Sequence, residues 1–356
     1  MVTEVTGLTV PVDRQAFVER RKTAARIFHA ALIFNAALTI FWLIVLISGR
    51  RPFFFQEYRI TREGLGQIFG GVVFFYVIWG FIWFGIKTAL LTYVVGLSKE
   101  ERRQVFSSRM NAPFDVESLL QRYSERRIRI VDMIGRRGRF ITLAATGFFY
   151  LYASIAADPT PDFATKFLSN NLFEAVVTSW IFLGFYYLDG TLAAAFYGPQ
   201  SRVMDGVLAR ANCLLITTLW TVFKFVMVPI GASLATLYSR DEFAVIFALI
   251  WGSYIVNDTL AEVGGSILGK QRIRVRGLGD VNRKSIAGVV SGFTGALAFC
   301  VWIVLRHGLP APWIGLAIAI AISTTALELF SPRGTDDFTM ATGNALICLV
   351  FGTVLR

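Results

Sequence analysis

Two acids and two glycines at the end of an apolar run have the spacing of one helix face. Asp258, Glu262, Gly265 and Gly269 lie within about 60° of one another on a helix that turns about 100° per residue. Acids at the edge of an apolar segment are costly and usually functional. Carboxylates hold Mg²⁺, usually together with substrate phosphates, and glycines let a phosphate or a second backbone approach closely. The face predicts a phosphate site or, alternatively, close packing of small residues between helices.

A basic segment follows this face along the chain. Four cations alternate in an extended stretch, and two more lie just before the next apolar run: Lys270, Arg272, Arg274, Arg276, Arg283 and Lys284. Ser285 then opens that run, where a helix N-terminus offers free amide donors and a positive dipole end to an anionic phosphate. The alternative interpretation is that the cations only set the orientation of the chain in a membrane.

A second group of acids follows later, at Glu328, Asp336 and Asp337. Glu328 lies in an apolar segment, so it requires a partner such as Lys284, Arg333 or a metal ion. Asp336 and Asp337 precede the last apolar run, where they could instead serve as helix N-caps. Two acidic groups and a basic segment at one membrane edge together predict a site for a magnesium nucleotide.

The composition of the chain predicts that these residues are carried by membrane helices. The chain has 356 residues, of which 55% are hydrophobic and only 17% charged, whereas about a quarter of a soluble domain is charged. No apolar run precedes residue 20, so we expect the first apolar segment to be retained rather than cleaved. Apolar runs near helix-spanning length predict an all-α polytopic membrane protein with about nine spans, at 27–48, 68–97, 140–156, 172–197, 213–238, 243–256, 286–305, 313–330 and 338–355.

The distribution of basic residues predicts a cytosolic N-terminus. With that orientation, 25 of the 35 Lys and Arg residues fall in cytosolic segments and 7 in the opposite loops, as the positive-inside rule requires. The same rule explains the net charge of +11 without a nucleic-acid partner. Residues 98–139 form the longest cytosolic segment, and we expect this basic, amphipathic stretch to lie on anionic lipid headgroups; a role in substrate binding is the alternative.

The scarcity of histidine and cysteine excludes several kinds of site. With only His29 and His307, the chain has no set of histidines for multi-histidine catalysis or a paired-histidine zinc site. Cys213, Cys300 and Cys348 are widely spaced and lie in or beside apolar runs. They are therefore interpreted as apolar packing residues rather than metal ligands.

Three motifs in residues 245–350 resemble those of the CTP-dependent polyprenol kinases, the family of dolichol kinase and phytol kinase, which is related to the phosphatidate cytidylyltransferases. The family's G-D-x-x-A-x-x-x-G-x-x-x-G motif is matched, with Asn257 in place of its first glycine, by Asp258, Ala261, Gly265 and Gly269. Its K-S-x-x-G motif corresponds to Lys284, Ser285 and Gly288. Its later acidic motif corresponds to Glu328 with Asp336-Asp337, and Phe338 stands where asparagine usually follows.

The resemblance implies transfer of the γ-phosphoryl group of CTP to the hydroxyl of a membrane-dissolved isoprenoid alcohol. Asp258 would coordinate Mg²⁺ with Glu262 or Asp336 assisting, while Lys270 and Lys284 would neutralise phosphate oxygens. Glu328 or Asp337 would act as the base for the lipid hydroxyl or as a second metal ligand. The remaining nucleotide-binding candidates are Asn257, Gly265, Gly269, Arg272, Ser285 and Gly288.

The chain accordingly divides into membrane helices at 1–240 and a kinase-like catalytic region at 241–356, whose site we expect to face the cytosol from a plasma membrane or an endoplasmic reticulum. Its expected partners are the lipid alcohol, CTP and membrane lipids. Two alternatives remain open. One is a cytidylyltransferase that makes a CDP-lipid; the other is a non-catalytic transporter or scaffold, which the intramembrane charges of Lys87, Asp189 and Lys224 would serve.

Overall fold

The computed structural model describes residues 14–48, 77–106, 116–157, 163–276, 281–331 and 335–355. These residues are almost entirely helical. The α-helices within them are α1 Arg14–Ser48, α2 Trp79–Leu90, α3 Lys99–Phe106, α4 Val116–Arg122, α5 Glu125–Ala157, α6 Phe163–Phe185, α7 Thr191–Tyr197, α8 Ala209–Leu237, α9 Arg240–Leu268, α10 Ile286–Arg306, α11 Pro312–Phe330 and α12 Asp336–Val350. A 3₁₀ segment, Val203–Leu208, leads into α8, and π-helical turns extend α2 to Val95 and α12 to Leu355.

Within the described ranges, six helical segments are long and apolar enough to cross a membrane. They are Val18–Phe41, Val203–Leu237, Arg240–Leu268, Ile286–Arg306, Pro312–Phe330 and Asp336–Val354. Two shorter apolar helices are Trp79–Val95 and Asn171–Phe185. The prediction of an all-α, multi-pass membrane protein is confirmed at this level, whereas nine spans and a cytosolic N-terminus remain predictions.

Several predicted spans have different boundaries in the structure. The segment 172–197 is not one helix: α6 ends at Phe185, and a turn with Gly190 at φ 128° separates it from α7. Hydropathy could not detect this break, because apolar residues flank the turn on both sides. The positive φ of Gly190 strongly favours glycine. The predicted segments 140–156 and 243–256 lie inside the longer helices α5 and α9. Residues 68–76 of the second predicted span lie outside the described residues.

A short hairpin departs from the all-α prediction. Strands β1 Arg272–Arg276 and β2 Val281–Ser285 pair antiparallel, with Arg272 opposite Ser285 and Ile273 opposite Lys284. Three of the four alternating cations that predicted an extended stretch, Arg272, Arg274 and Arg276, thus lie in β1. Strand β2 runs directly into α10, and the Ser285 hydroxyl caps that helix by accepting a hydrogen bond from the Gly288 amide, 3.0 Å away. The hairpin therefore delivers Lys284 and Ser285 to a helix N-terminus.

Helix α9 lies at the centre of a group formed with α10, α11 and α12. It packs antiparallel against α10 so closely that a Cβ on Gly264 would lie 2.2 Å from the Ser291 hydroxyl oxygen. Asn344 of α12 joins the group by donating to the hydroxyls of Ser253 at 3.0 Å and Thr324 at 2.8 Å. Because successive helices alternate in direction, the C-terminal ends of α9 and α11 meet the N-terminal ends of α10 and α12.

Candidate active site

A hydrogen-bonded network joins three of the predicted site residues where these helix ends meet. The Lys284 ammonium donates to one Glu328 oxygen at 2.6 Å, and the Asn257 amide donates to the other oxygen at 2.6 Å. The Asn257 carbonyl oxygen in turn accepts from the Thr325 hydroxyl at 3.0 Å. Glu328 and Asn257 are buried. The predicted partner of Glu328 is therefore Lys284. Asn257, which stands where the related motif has glycine, contributes a second hydrogen bond to Glu328 through its side chain.

The ion pair with Glu328 favours the protonated form of Lys284. Burial lowers the pKa of Lys284, but the carboxylates of Glu328, Asp336 and Asp258 together raise it by more, so the pKa lies above its ordinary value. The Lys284 side chain nevertheless keeps 29% of its surface exposed. Lys284 is thus a fixed positive charge at the edge of the bundle, accessible to an anion.

The acids of the α9 face are held by an arginine from far earlier in the chain. Both guanidinium Nη atoms of Arg137 in α5 donate to Asp258, one of them at 2.7 Å to Oδ1. The Nε of Arg137 donates to Glu262. The Arg137 side chain is 9% exposed, so this bidentate pair lies in a largely desolvated environment where charge-assisted hydrogen bonds are strong.

Two further arginines surround Glu262. Arg136 donates to its Oε1 at 2.8 Å, and a guanidinium nitrogen of Arg202 lies 3.7 Å from the same oxygen. The expectation that residues 98–139 lie on lipid headgroups is therefore wrong for Arg136 and Arg137. Both arginines lie in α5, which packs against α9, and their side chains contact Asp258 and Glu262.

A buried ion pair places Arg202 beside this cluster. The ammonium of Lys87 lies 2.8 Å from the Asp132 carboxylate and donates to the backbone carbonyls of Gly198 at 3.0 Å and Ser201 at 2.5 Å. Asp132 also accepts from the Val203 amide at 2.8 Å. Lys87 thus ties α2 and α5 to the segment that carries Arg202.

The second acidic group belongs to the same cluster. Asp336 at the start of α12 is within electrostatic range of Asp258 and Lys284, and Asp337 is within range of Asp258 and Arg137. Among the described side chains, no Lys or Arg nitrogen forms an ion pair with either residue. The carboxylates of Asp336 and Asp337 therefore differ from those of Asp258 and Glu262, which arginines hold.

The predicted metal ligands do not form a ready-made cation site. Both oxygens of Asp258 and both of Glu262 accept hydrogen bonds from arginine. In the described ranges, no group of three or more His, Cys, Asp or Glu side chains is arranged to hold a metal ion. The arrangement does not fit a resident ion bound by Asp258, Glu262 and Asp336, because such an ion would have to displace Arg137.

The predicted glycines converge on the hydroxyl of Ser285. A Cβ added to Gly265, Gly269 or Gly288 would lie 2.9, 2.8 or 2.9 Å from its Oγ. A Cβ on Gly288 would also lie 2.8 Å from the Ala261 carbonyl oxygen. The close approach that these glycines permit in the structure is between α9 and α10, which agrees with small-residue helix packing. Their role beside a phosphate remains a prediction.

Two predicted phosphate ligands lie apart from this network. Lys270 and Arg272 are exposed where the chain leaves α9 and enters β1. Among the described side chains, neither forms an ion pair with an acid of the cluster. Arg276, Arg283 and Arg333 were also singled out by the sequence, and their side chains lie outside the described residues.

The intramembrane charges that favoured a transporter have local partners. Lys87 pairs with Asp132, and the carboxylate of Asp189 lies 3.8 Å from the Arg210 guanidinium. Lys224 interacts electrostatically with Glu174 across a cavity between helices. Pairing of this kind lowers the cost of placing charges in a membrane.

The cluster thus combines one accessible lysine, three arginines (Arg136, Arg137 and Arg202) and a pair of acids that no arginine side chain within the described ranges holds. Cations and carboxylates in this number suit the binding of a polyphosphate with its counter-ion. Comparison of the chain with protein-family models, with curated proteins and with solved structures found no match.

Proposed function

We propose that this chain is a CTP-dependent lipid alcohol kinase, which transfers the γ-phosphoryl group of CTP to an isoprenoid alcohol of the dolichol, polyprenol or phytol type. One observation carries the proposal: the three motifs of the resemblance, far apart in sequence, meet at one end of the helix group. Lys284 of the second motif and Asn257 of the first both bond to Glu328 of the third, each at 2.6 Å. Such convergence is what a shared substrate site requires.

The proposal includes an orientation. The chain crosses the membrane about nine times from a cytosolic N-terminus, and the cluster faces the cytosol of a plasma membrane or an endoplasmic reticulum. Two features support this placement. The cytosolic segments defined in this way contain 25 of the 35 Lys and Arg residues, and CTP is a cytosolic metabolite that cannot dissolve in the bilayer.

In this mechanism the nucleotide arrives as its magnesium complex. Magnesium bound with a nucleotide takes most of its ligands from phosphates and water, and needs only one or two protein carboxylates. Asp336 and Asp337 would supply those carboxylates, and Lys284, while still paired with Glu328, would donate to a phosphate oxygen from its exposed side. Phosphoryl transfer needs mainly such positioning and charge neutralisation.

The reaction itself forms one bond and breaks one. The hydroxyl oxygen of the alcohol attacks the γ-phosphorus, the bond to the β,γ-bridging oxygen breaks, and CDP leaves. The hydroxyl proton passes to a carboxylate, for which Asp337 is the better candidate. Both oxygens of Glu328 are already occupied by Lys284 and Asn257, so Glu328 positions Lys284 instead.

The position of the label in CTP decides between the enzymatic alternatives. Purified protein in lipid nanodiscs is incubated with CTP labelled at the α- or γ-phosphorus and with phytol, dolichol, a polyprenol or diacylglycerol. A kinase moves the γ-label to the lipid and releases CDP. Pyrophosphate release with the α-label on a lipid phosphate would identify a cytidylyltransferase. Label on no lipid would refute both reactions and leave a transporter or scaffold.

A further inference from the structure

A cavity lies among α5, α6, α8 and α9, beneath the Arg137–Asp258 pair. Its volume is about 120 Å³, and six of its thirteen lining residues are aromatic, including Phe140, Trp220, Trp251 and Tyr254. These rings are in mutual contact: the Trp220 and Trp251 centroids are 4.9 Å apart and those of Phe140 and Tyr254 are 6.0 Å apart. The cavity is therefore predominantly apolar at the end nearest the ion pairs.

The top of the cavity lies next to the candidate active site. The guanidinium carbon of Arg137 lies 6.0 Å from the Phe140 ring centroid, and Tyr254 is one helical turn from Asp258 on the same face of α9. A molecule that fills the space between Phe140 and Tyr254 would thus place its upper end at the charged cluster.

The lower end has both polar groups and an opening. Glu174 and Lys224 line the cavity there and interact through opposite charges. Gly147 also lines it, about two helical turns from Phe140, and a Cβ at Gly147 would meet no atom within 4 Å. A hydrocarbon chain gains nothing by displacing an ion pair, so a chain descending the cavity would leave it at Gly147 and enter the bilayer.

We propose that this cavity binds the first isoprene unit of the acceptor alcohol, with the hydroxyl at the charged cluster and the rest of the chain in lipid. The inference rests on the proposed kinase function and adds where the acceptor lies. Size agrees with this occupant, because an apolar cavity of about 150 Å³ binds benzene, and a five-carbon unit is of similar size. Only the part of the lipid nearest its head would then contact the protein.

A photoreactive analogue tests the cavity without requiring catalysis. Geranylgeraniol with a diazirine in its first isoprene unit is irradiated with the full-length protein in nanodiscs, without CTP, and the labelled peptides are mapped by mass spectrometry. We expect labelling in the stretches of α5 and α9 that contain Phe140 and Trp251. Labelling confined to helices that do not line the cavity would overturn the inference.

A matched pair of glycine substitutions supplies the control. Gly147→Leu fills the opening, whereas Gly184→Leu adds the same side chain at an exposed position of α6 that also has no atom within 4 Å of a Cβ. We expect Gly147→Leu to reduce labelling at least about tenfold, which corresponds to roughly two buried methylene groups, and Gly184→Leu to leave it unchanged. Equal losses in both variants would overturn the inference.

Failure of this inference can be distinguished from failure of the kinase proposal. Cavity labelling that Gly147→Leu abolishes, in a protein that transfers no phosphate, would support the lipid site and refute the kinase. If Gly147→Leu transfers phosphate with an unchanged KM for the alcohol, binding of the alcohol in the cavity is refuted and the kinase proposal stands.

Discussion

Replacing Arg137 by alanine tests the ion-pair cluster most sharply. Arg137 makes a bidentate pair with Asp258 and also donates to Glu262. In the variant, Glu262 keeps Arg136 at 2.8 Å, but Asp258 loses the side chain that occupies both of its oxygens. Removing one partner of a buried ion pair costs about 3–5 kcal/mol, because the other charge is left unpaired. We therefore expect Arg137→Ala to lower the free energy of unfolding by about 3–5 kcal/mol.

The same helix offers a control for this substitution. Arg129 pairs with Glu125 one turn away, and both side chains are 51% exposed. An exposed pair of this kind contributes about 0.3–0.5 kcal/mol, so Arg129→Ala should be nearly neutral. Unfolding of each variant by SDS in mixed micelles gives the two free energies. Equal values for Arg137→Ala and Arg129→Ala would refute the cluster.

A double-mutant cycle then separates the pair from general damage to α5. Arg137→Met combined with Asp258→Asn should be less destabilising than the sum of the single changes, with a coupling energy of about 2 kcal/mol or more. Additive effects would show that the two side chains do not interact, whatever each contributes alone.

Three further predictions concern neighbouring contacts. Asn257→Gly restores the glycine of the related motif but removes a hydrogen bond to the Glu328 carboxylate; with the helix penalty of glycine it should cost about 2–4 kcal/mol in micelle unfolding, and a neutral change would contradict the network. Lys87→Met leaves Asp132 buried without its ion-pair partner and should cost about 3–5 kcal/mol, so a loss below about 1 kcal/mol would refute the pair. Because the pKa of Lys284 is raised in the folded protein, its stabilising effect is fully present below the ordinary lysine value of about 10.4 and is lost at more alkaline pH. The difference in unfolding free energy between wild type and Lys284→Gln should therefore be constant from about pH 7 to pH 9 and fall above about pH 10; a difference that rises there would contradict this assignment.

The sequence predicted the part of the site that depends on local spacing. Asp258 and Glu262 are four residues apart, so a helical repeat alone places them on one face, and one arginine can reach both. Lys284 and Ser285 lie at the start of an apolar run, which predicts a helix N-terminus, and Ser285 caps α10. These features follow from short-range geometry.

The partners of these acids could not be predicted in the same way. Arg137 precedes Asp258 by 121 residues, and the pairing depends on how α5 packs against α9, which no local pattern specifies. The predicted third span began at residue 140, so Arg136 and Arg137 were assigned to a cytosolic segment. The available signal was electrostatic: two acids near the end of an apolar helix, with no Lys or Arg between residues 241 and 269, require cations from another part of the chain.

Hydropathy also failed at a turn inside a long apolar run. The run 172–197 is apolar almost throughout, yet α6 ends at Phe185, and a turn with Gly190 at φ 128° precedes α7. The hairpin before α10 lies between two apolar helices. Its alternating cations predicted an extended stretch, but not the pairing of that stretch with β2. Both features depend on backbone conformation and pairing rather than on hydrophobicity.

Transfer of phosphate at the cluster can be tested by comparing three proteins. Wild type, Lys284→Ala and Lys22→Ala are assayed for transfer of label from γ-labelled CTP to geranylgeraniol in nanodiscs. Lys22 is exposed and pairs only locally with Glu19 at 2.7 Å, so its removal controls for the loss of a positive charge. We expect labelled lipid phosphate for wild type and Lys22→Ala, with a loss of at least about a hundredfold in Lys284→Ala, because that variant lacks a group that stabilises transition-state charge. Transfer by Lys284→Ala at the wild-type rate, or no transfer by the wild type, would refute phosphate transfer at this cluster.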